Sequence, residues 1–294
     1  MTLWELIETS TKRLEESPVH FGHGTRNARD EAAWLVLWSL GLPLDTVLEG
    51  PDSQELRPIH VAEIEKCATL IEARISSRKP AAYLTREAWL QGVSFYVDER
   101  VIVPRSLIAE LLVNGSLDYW LSDSTHNVLD LCTGNGSLAV IAAMVYPDTV
   151  VDAADISTDA LAVAAINVER HYLQDRIALL HGDGLQCVPR KYDLIVCNPP
   201  YVNAHSMSNL PPEYRAEPAI ALDGNAAGST DGMDFVRTLL KDAPGHMNAG
   251  AVLVLEIGHE RNFFEAAFPD LAAVWLETSA GEDQVLLLTR DALL

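Results

Sequence analysis

The chain has 294 residues, 48% of them hydrophobic, and carries 42 acidic against 21 basic residues for a formal charge of −21. That is enough for one large or two modest globular domains, and no apolar run approaches the roughly 18 residues that span a bilayer. The acidity argues against general affinity for DNA or RNA, which needs Lys and Arg to neutralise phosphates, and favours a basic partner.

The opening stretch MTLWELIETSTKRLEE is too charged for a signal peptide and reads as an amphipathic helix, with Thr2 and Glu5 as a capping box. Asn27 precedes a second apolar run, EAAWLVLWSL. Ile59, Val61, Ile64, Ala68, Ile71 and Ile75 then recur at helical spacing up to Arg78-Lys79-Pro80. Residues 1–78 are therefore expected to form a small helical domain. In 79–105, Tyr83 to Trp89, a Gln91-Gly92 turn, and Val93, Phe95 and Val97 predict an antiparallel β-hairpin that links two domains.

From Ser106 onward strands and helices alternate. NVLDLC, VVDAADI, RIALLHGD, YDLIVCN, AVLVLEIG and QVLLLT read as strands. GSLAVIAAMVY, TDALAVAAINVERH, DGMDFVRTLLKDA and ERNFFEAAF read as helices. The order predicts an α/β fold over 106–294, a mostly parallel sheet with helices on both faces. Four scattered cysteines (Cys67, Cys132, Cys187 and Cys197) include no CxxC pair, so a reducing cytosol is the natural compartment. Cys132 and Cys197 read as packing residues at strand ends. The histidines form no HExxH motif, and no metal site is assigned.

Ligands on such sheets sit at the carboxyl ends of the strands. The first strand ends LDLCTGNGSLA, where Gly134 and Gly136 permit a tight turn and the next helix offers free N–H groups to an anion. The second ends at Asp155, placed to accept hydrogen bonds from both hydroxyls of a ribose. The alternative role of Asp155, capping the next helix, can fall to Ser157 or Thr158. The third ends HGDGL, where Asp183 can accept from an adenine amine. NAD and S-adenosylmethionine both fit these three ends.

The fourth end, DLIVCNPPYV, discriminates between them. Proline cannot donate to a sheet ladder, so the strand stops at Asn198 on a stiff backbone. A dehydrogenase has no use for that arrangement, whereas a nitrogen methyltransferase does. The Asn198 side-chain oxygen and the Pro199 carbonyl can accept both N–H bonds of an amide or amine and so orient a weakly nucleophilic nitrogen. Pro200 stiffens the turn and Tyr201 offers a face to a planar group.

The segments DLCTGNG, ADIS…ALAVAAINVERH, GDGL, YDLIVCNPPYV, EPAIAL and LVLEIG resemble the class I protein-glutamine methyltransferases, which modify release factors or a ribosomal protein. The resemblance covers nearly the whole chain. FGHGTRNARDEA, VDERVIVPRSLIAEL and NLPPEYRAEP are most similar to the branch that methylates a glutamine of large-subunit ribosomal protein L3. Release-factor enzymes carry a proline-glutamate-threonine run where this chain has Ser106-Leu107-Ile108. The resemblance implies a Rossmann-like methyltransferase domain with S-adenosylmethionine as cofactor, and an N-terminal domain that recognises the protein substrate. It assigns the methionine end to Thr133, Gly134, Asn135 and Gly136, the ribose to Asp155, and the adenine to Asp183 and Gly184. Asp130, Ile156 and Asn198 complete the cofactor set. Asn198, Pro199, Pro200 and Tyr201 form the glutamine site, with Asn198 and Pro199 catalytic. Two departures stand out: Gly184 replaces an aromatic that often covers the adenine, and the loop DGNAAGSTDG is longer than usual.

Overall fold

The computed structural model describes residues 1–49 and 53–294. They fall into two compact units, residues 1–88 with 210–217, and residues 89–209 with 218–294. No helix among the described residues is long and apolar enough to cross a membrane.

The first unit is helical, as its sequence periodicity requires. Helix α1 (Leu3–Glu15) opens with the anticipated capping box: the Glu5 N–H donates to Thr2 Oγ1 at 3.2 Å and the Thr2 N–H to Glu5 Oε2 at 2.8 Å. Helix α2 (Ala28–Ser39) starts at Asn27, whose side chain accepts from the Asp30 N–H. Helix α3 (Val61–Ser77) stops at Arg78, which turns left-handed at φ 57°. Leu6, Ile7, Leu35, Val36, Cys67 and Ile71 meet in its core. A second layer of organisation is ionic. Arg74, 1% exposed, donates to Glu31 and to Glu213, and the carboxylate of Glu213 also accepts from Arg78. Glu213 belongs to helix α9 (Pro212–Arg215), so this far stretch of chain is fastened among the helices.

The hairpin is shorter than the sequence suggested. Tyr83 lies in helix α4 (Ala81–Thr85), because Pro80 sets up a helical start and two alanines follow it. The two strands are β1 (Ala88–Leu90) and β2 (Val93–Phe95). Gln91 and Gly92 join them with φ values of 49° and 76°, the paired positive angles of a type I′ turn. Val97 lies beyond β2, in an extended strap that leads to helix α5 (Ile108–Val113), a helix the strand–helix alternation did not anticipate.

The second unit is the α/β sheet. In chain order come β3 (Asn127–Leu131), α6 (Ser137–Val145), β4 (Val150–Asp155), α7 (Thr158–Arg170), β5 (Ile177–His181) and β6 (Tyr192–Cys197). The long connection after β6 carries α8 (Ala204–Asn209) and leads through α9 to α10 (Asp234–His246) and β7 (Met247–Glu256). Then follow α11 (Arg261–Ala267), β8 (Val274–Thr278) and β9 (Gly281–Thr289). The strand order is β5-β4-β3-β6-β7-β9-β8. The first five pair in parallel, and β9 runs antiparallel to both β7 and β8. Strands buried on both faces read as apolar runs, which made residues 194–197 of β6 legible. Strand β8 was not foreseen, because VWLET is a half-exposed edge strand with weak apolar content. The two faces of the sheet carry separate apolar layers, one around Ile108, Val140 and Val196, the other around Ile195, Val236 and Leu253. Since β3 has β4 on one side and β6 on the other, the chain reverses its winding there, and the crevice falls at the carboxyl ends of these strands.

Candidate active site at the strand ends

A cavity of about 420 Å³ opens at that place. Gly134 and Asp155 line it, with Ile156 and Asp183 beyond them, and Asn198 and Pro200 on another side. Its size lies in the range of cofactor pockets. Asp130, Thr133, Asn135, Gly136, Pro199 and Tyr201 do not line the cavity. They build its wall.

The wall after β3 is a network of short bonds. Asp130 is fully buried, and its Oδ2 accepts from Thr133 Oγ1 at 2.5 Å and from the Ala139 N–H at 2.9 Å. Burial pushes its carboxyl up to about 7, against the pull of those two bonds. Its Oδ1 and the Nδ2 of Asn135 are buried without a partner among the described residues. Such unpaired buried polar atoms are costly. Gly136 is required by packing as well as by its φ of 80°, since a Cβ there would lie 3.1 Å from that of Ala164. A Cβ on Gly134 would meet nothing within 4 Å, so its face of the cavity is open to a ligand.

Asp155 sits at the end of β4, its carboxylate fixed by the Gly134 N–H at 2.9 Å and the Ser157 N–H at 2.8 Å. Burial raises its carboxyl above the ordinary range. It is not the cap of α7. Ser157 takes that role, accepting from the Ala160 N–H at 3.1 Å, which leaves Asp155 to line the cavity. Ile156 is 50% exposed there and gives the cavity an apolar surface.

The β6 end holds out Asn198, whose side chain makes no hydrogen bond to any described residue. The following tyrosine is locked in place. A Cβ on Gly258 would lie 2.7 Å from the Tyr201 ring, and one on Gly232 2.1 Å from the Tyr201 carbonyl oxygen. Only glycine admits so close an approach. The long loop 223–232 is likewise tied down, by Asn225 donating to the Val202 carbonyl and accepting from the Gly232 N–H. Cys197 and Cys132 are free thiols, and burial pushes that of Cys197 well up, away from nucleophilic use.

Sequence reasoning missed part of the cavity. Phe235, at the start of α10, lines it beside Gly184. Arg100, Val101 and Ile102 of the strap line it too, as do Pro218 and Ile220 of EPAIAL. The strap and EPAIAL were visible only as resemblance, with no role attached. Arg100 is held by Asp98, which takes its Nε at 2.8 Å and Nη2 at 2.7 Å; that pairing holds the Asp98 carboxyl down at about 2.

Comparison with known proteins agrees with this geometry. A family model described as the methyltransferase small domain matches residues 109–210. The chain is 53% identical over 295 residues to the ribosomal protein uL3 glutamine methyltransferase of Bordetella pertussis, covering 99% of this chain and 96% of that one. It is 49% identical to the protein of that name from Burkholderia pseudomallei, over 98% of this chain and 94% of the other. The corresponding Neisseria meningitidis serogroup A protein is 48% identical, over 100% of this chain and 94% of its own. Among solved structures, the hMettl16 catalytic domain in complex with the MAT2A 3′UTR hairpin 6 has a similar fold, with a TM-score of 0.50 at 14% identity, over 78% of this chain and 81% of that one.

Proposed function

The chain belongs to the ribosomal protein uL3 glutamine methyltransferase family, and we propose that it transfers a methyl group from S-adenosylmethionine to the side-chain amide nitrogen of a glutamine in ribosomal protein uL3. The observation that carries this reading is the unengaged Asn198 amide, standing in one cavity with Asp155, Asp183 and the open face of Gly134.

The residues present fit the cofactor. Asp155 accepts from the ribose hydroxyls and Asp183 from the adenine amine, while Ile156 and Phe235 cover the flat base. Gly134 lets the backbone approach closely, and Thr133, Asn135 and Gly136 hold the loop that receives the methionine end. Asp130 orders that loop from behind, accepting from Thr133 Oγ1 and the Ala139 N–H. S-adenosylmethionine supplies an electrophilic methyl group carried on a sulfonium.

The chain's own contribution is orientation. An amide nitrogen is a poor nucleophile because its lone pair is delocalised. Asn198 Oδ1 and the Pro199 carbonyl accept its two N–H bonds, point the nitrogen along the line of transfer and favour the positive charge that grows on it. Pro199 and Pro200 hold both acceptors still, and Tyr201, wedged by Gly258 and Gly232, offers a face to the planar amide. No side chain is assigned as a base. The nitrogen becomes acidic as it is alkylated, and its proton passes to water.

The free form of uL3 is the proposed substrate, since ribosomal proteins are basic and this chain carries a charge of −21. A ribosomal protein substrate and four free cysteines fit a cytoplasmic enzyme. The test is the initial rate of labelled methyl transfer to purified uL3, to a peptide release factor and to total DNA, with mass spectrometry of the labelled residue. Methylglutamine in uL3 is the expected product. Faster transfer to the release factor at every salt concentration would overturn the substrate, and label in DNA alone would overturn the reaction.

A further inference from the structure

Two backbone segments, the strap and the loop after β3, converge on one buried amide. Asn167, on α7, is 0% exposed. Its Oδ1 accepts from the Tyr96 N–H at 2.7 Å, and its Nδ2 donates to the Tyr96 carbonyl at 3.0 Å and to the Asn135 carbonyl at 2.8 Å. The side chain therefore pairs with Tyr96 as a neighbouring strand would, using both a donor and an acceptor. Its remaining N–H reaches the loop after β3. The amide cannot be flipped without setting donor against donor and acceptor against acceptor.

Each end of this bridge leads directly to the cavity. Asn135 adjoins Gly134, whose N–H is held by Asp155. Tyr96 begins the strap: its hydroxyl donates to Asp98 at 2.9 Å, Asp98 fixes Arg100, and Arg100, Val101 and Ile102 line the cavity. At its far end the strap is pinned again, by Ser106 Oγ and the Leu107 N–H donating to the buried Glu256. Helix α7 itself approaches the loop closely, a Cβ on Gly136 falling 3.1 Å from that of Ala164, one turn before Asn167.

We propose that Asn167 is a positioning residue which locks the cofactor loop to the strap, so that two walls of the cavity are set as one body and the cofactor meets a preformed site. Asn167 touches no reacting atom. It acts through Asn135 on one side and Tyr96 on the other. Pre-organised walls bind more tightly because the ordering is done before the ligand arrives. The inference rests on the S-adenosylmethionine reading given above.

The test uses the full chain and calorimetry with S-adenosylmethionine and S-adenosylhomocysteine. Binding by the parent protein checks the cofactor reading by itself. Asn167→Asp keeps the side chain's size and the acceptor for Tyr96 but loses both N–H donors. At pH 8 it is expected to bind at least about 10-fold more weakly than the parent, the scale of leaving buried carbonyls unpaired. The ratio to the parent is expected to narrow at pH 5.5, where a protonated carboxyl regains one donor. Asn167→Ala, losing all three bonds, is expected to show the deficit at both pH values. A merely structural role would lower the melting temperature and leave the affinity of the folded variant within about twofold of the parent, and that result overturns the proposal. Hydrogen exchange on the parent needs no variant: protection of the Tyr96 N–H is expected to rise in step with the Gly134 and Gly136 N–H groups as S-adenosylmethionine is added. A strap amide indifferent to a cofactor that protects the loop would equally overturn it.

Discussion

The Phe235 ring edge lies 3.8 Å from the point a Cβ on Gly184 would occupy. Gly184 turns left-handed at φ 54°, and both residues line the cavity. An aromatic ring from a distant part of the chain, the first turn of α10, thus stands beside Gly184 at the β5 end.

Phe235 is accordingly expected to stack on the adenine. Phe235→Ala should weaken S-adenosylmethionine binding by about 1–3 kcal/mol, the range for an aromatic ring lost from a base. Phe235→Leu fills the space without a flat face and should recover only part of the loss. Calorimetry decides it, and an unchanged affinity in Phe235→Ala would remove the ring from the adenine site.

Two buried carboxyls give the apoprotein a distinctive pH dependence. Burial raises Asp130 and Glu256 to about 7 each. Both folded values lie above the ordinary carboxylate range, so the folded state holds these protons more tightly than the unfolded chain. Stability from this pair therefore falls as pH rises from about 4 to above 7. The depressed carboxyls of Asp98, Glu213 and Asp231, each held to about 2 with an arginine close by, act the other way and lose their contribution as pH falls below about 4. Urea titrations across pH should place maximum stability on the mildly acidic side. Cofactor affinity should move oppositely to the Asp130 effect, dropping below pH 7 as protonation weakens the bonds by which Asp130 orders the loop after β3. Asp130→Asn should flatten that affinity profile; an Asp130→Asn profile as steep as the parent's would assign it to another group.

Glu213 tests the ionic core of the helical unit. Its carboxylate accepts from Arg78 Nε at 2.6 Å and Nη2 at 2.9 Å, from Arg74 Nη1 at 3.2 Å and from the His20 N–H at 3.0 Å. Removing one partner of a buried pair strands the other's charge, which costs about 3–5 kcal/mol. Glu213→Ala should therefore unfold at markedly lower urea, while Glu213→Gln, which keeps an acceptor but no charge, should fall between it and the parent. Loss of less than about 1 kcal/mol in Glu213→Ala, the scale of an exposed pair, would mean that the arginines are satisfied by other groups.

What was legible in the sequence divides along physical lines. Elements with one strong period or a chemically marked end could be read: the capping box at Thr2 and Glu5, the apolar run of β6, the proline stop after Asn198. Ser157 was recognisable as an alternative cap because capping needs only local residue types, and that in turn released Asp155 for the cavity. Pairings between distant segments were not readable. Phe235 and Gly184 are 51 positions apart in the numbering, and neither signals the other. Glu213 among Arg74 and Arg78 has the same character, as does the bridge from Asn167 to Tyr96, 71 residues away. Residues with ambiguous local preference were misread, Tyr83 as strand rather than helix, and VWLET as no element at all.

The sharpest separation of binding from catalysis should come from Asn198. Its side chain lines the cavity yet hydrogen-bonds to no described residue, so removing it breaks no internal hydrogen bond. Asn198→Ala deletes one of the two acceptors assigned to the substrate amide and leaves the Pro199 carbonyl. Losing a preorganised polar group that acts on developing charge costs about 100-fold or more in rate. The cofactor contacts assigned to Asp155, Asp183 and Phe235 are untouched, so affinity for S-adenosylhomocysteine should change far less. Asn198→Asp is a stricter case. It keeps an acceptor oxygen and adds a negative charge, which would favour the growing positive charge but also disfavour its neighbours Asp155 and Asp183 within the same cavity. At saturating cofactor its rate should therefore depend on pH more steeply than the parent's, rising as the new carboxyl ionises. Single-turnover methyl transfer to free uL3, measured beside calorimetry on the same preparations, checks both variants. Near-parent turnover by Asn198→Ala would show that the strand ends at this residue for structural reasons alone.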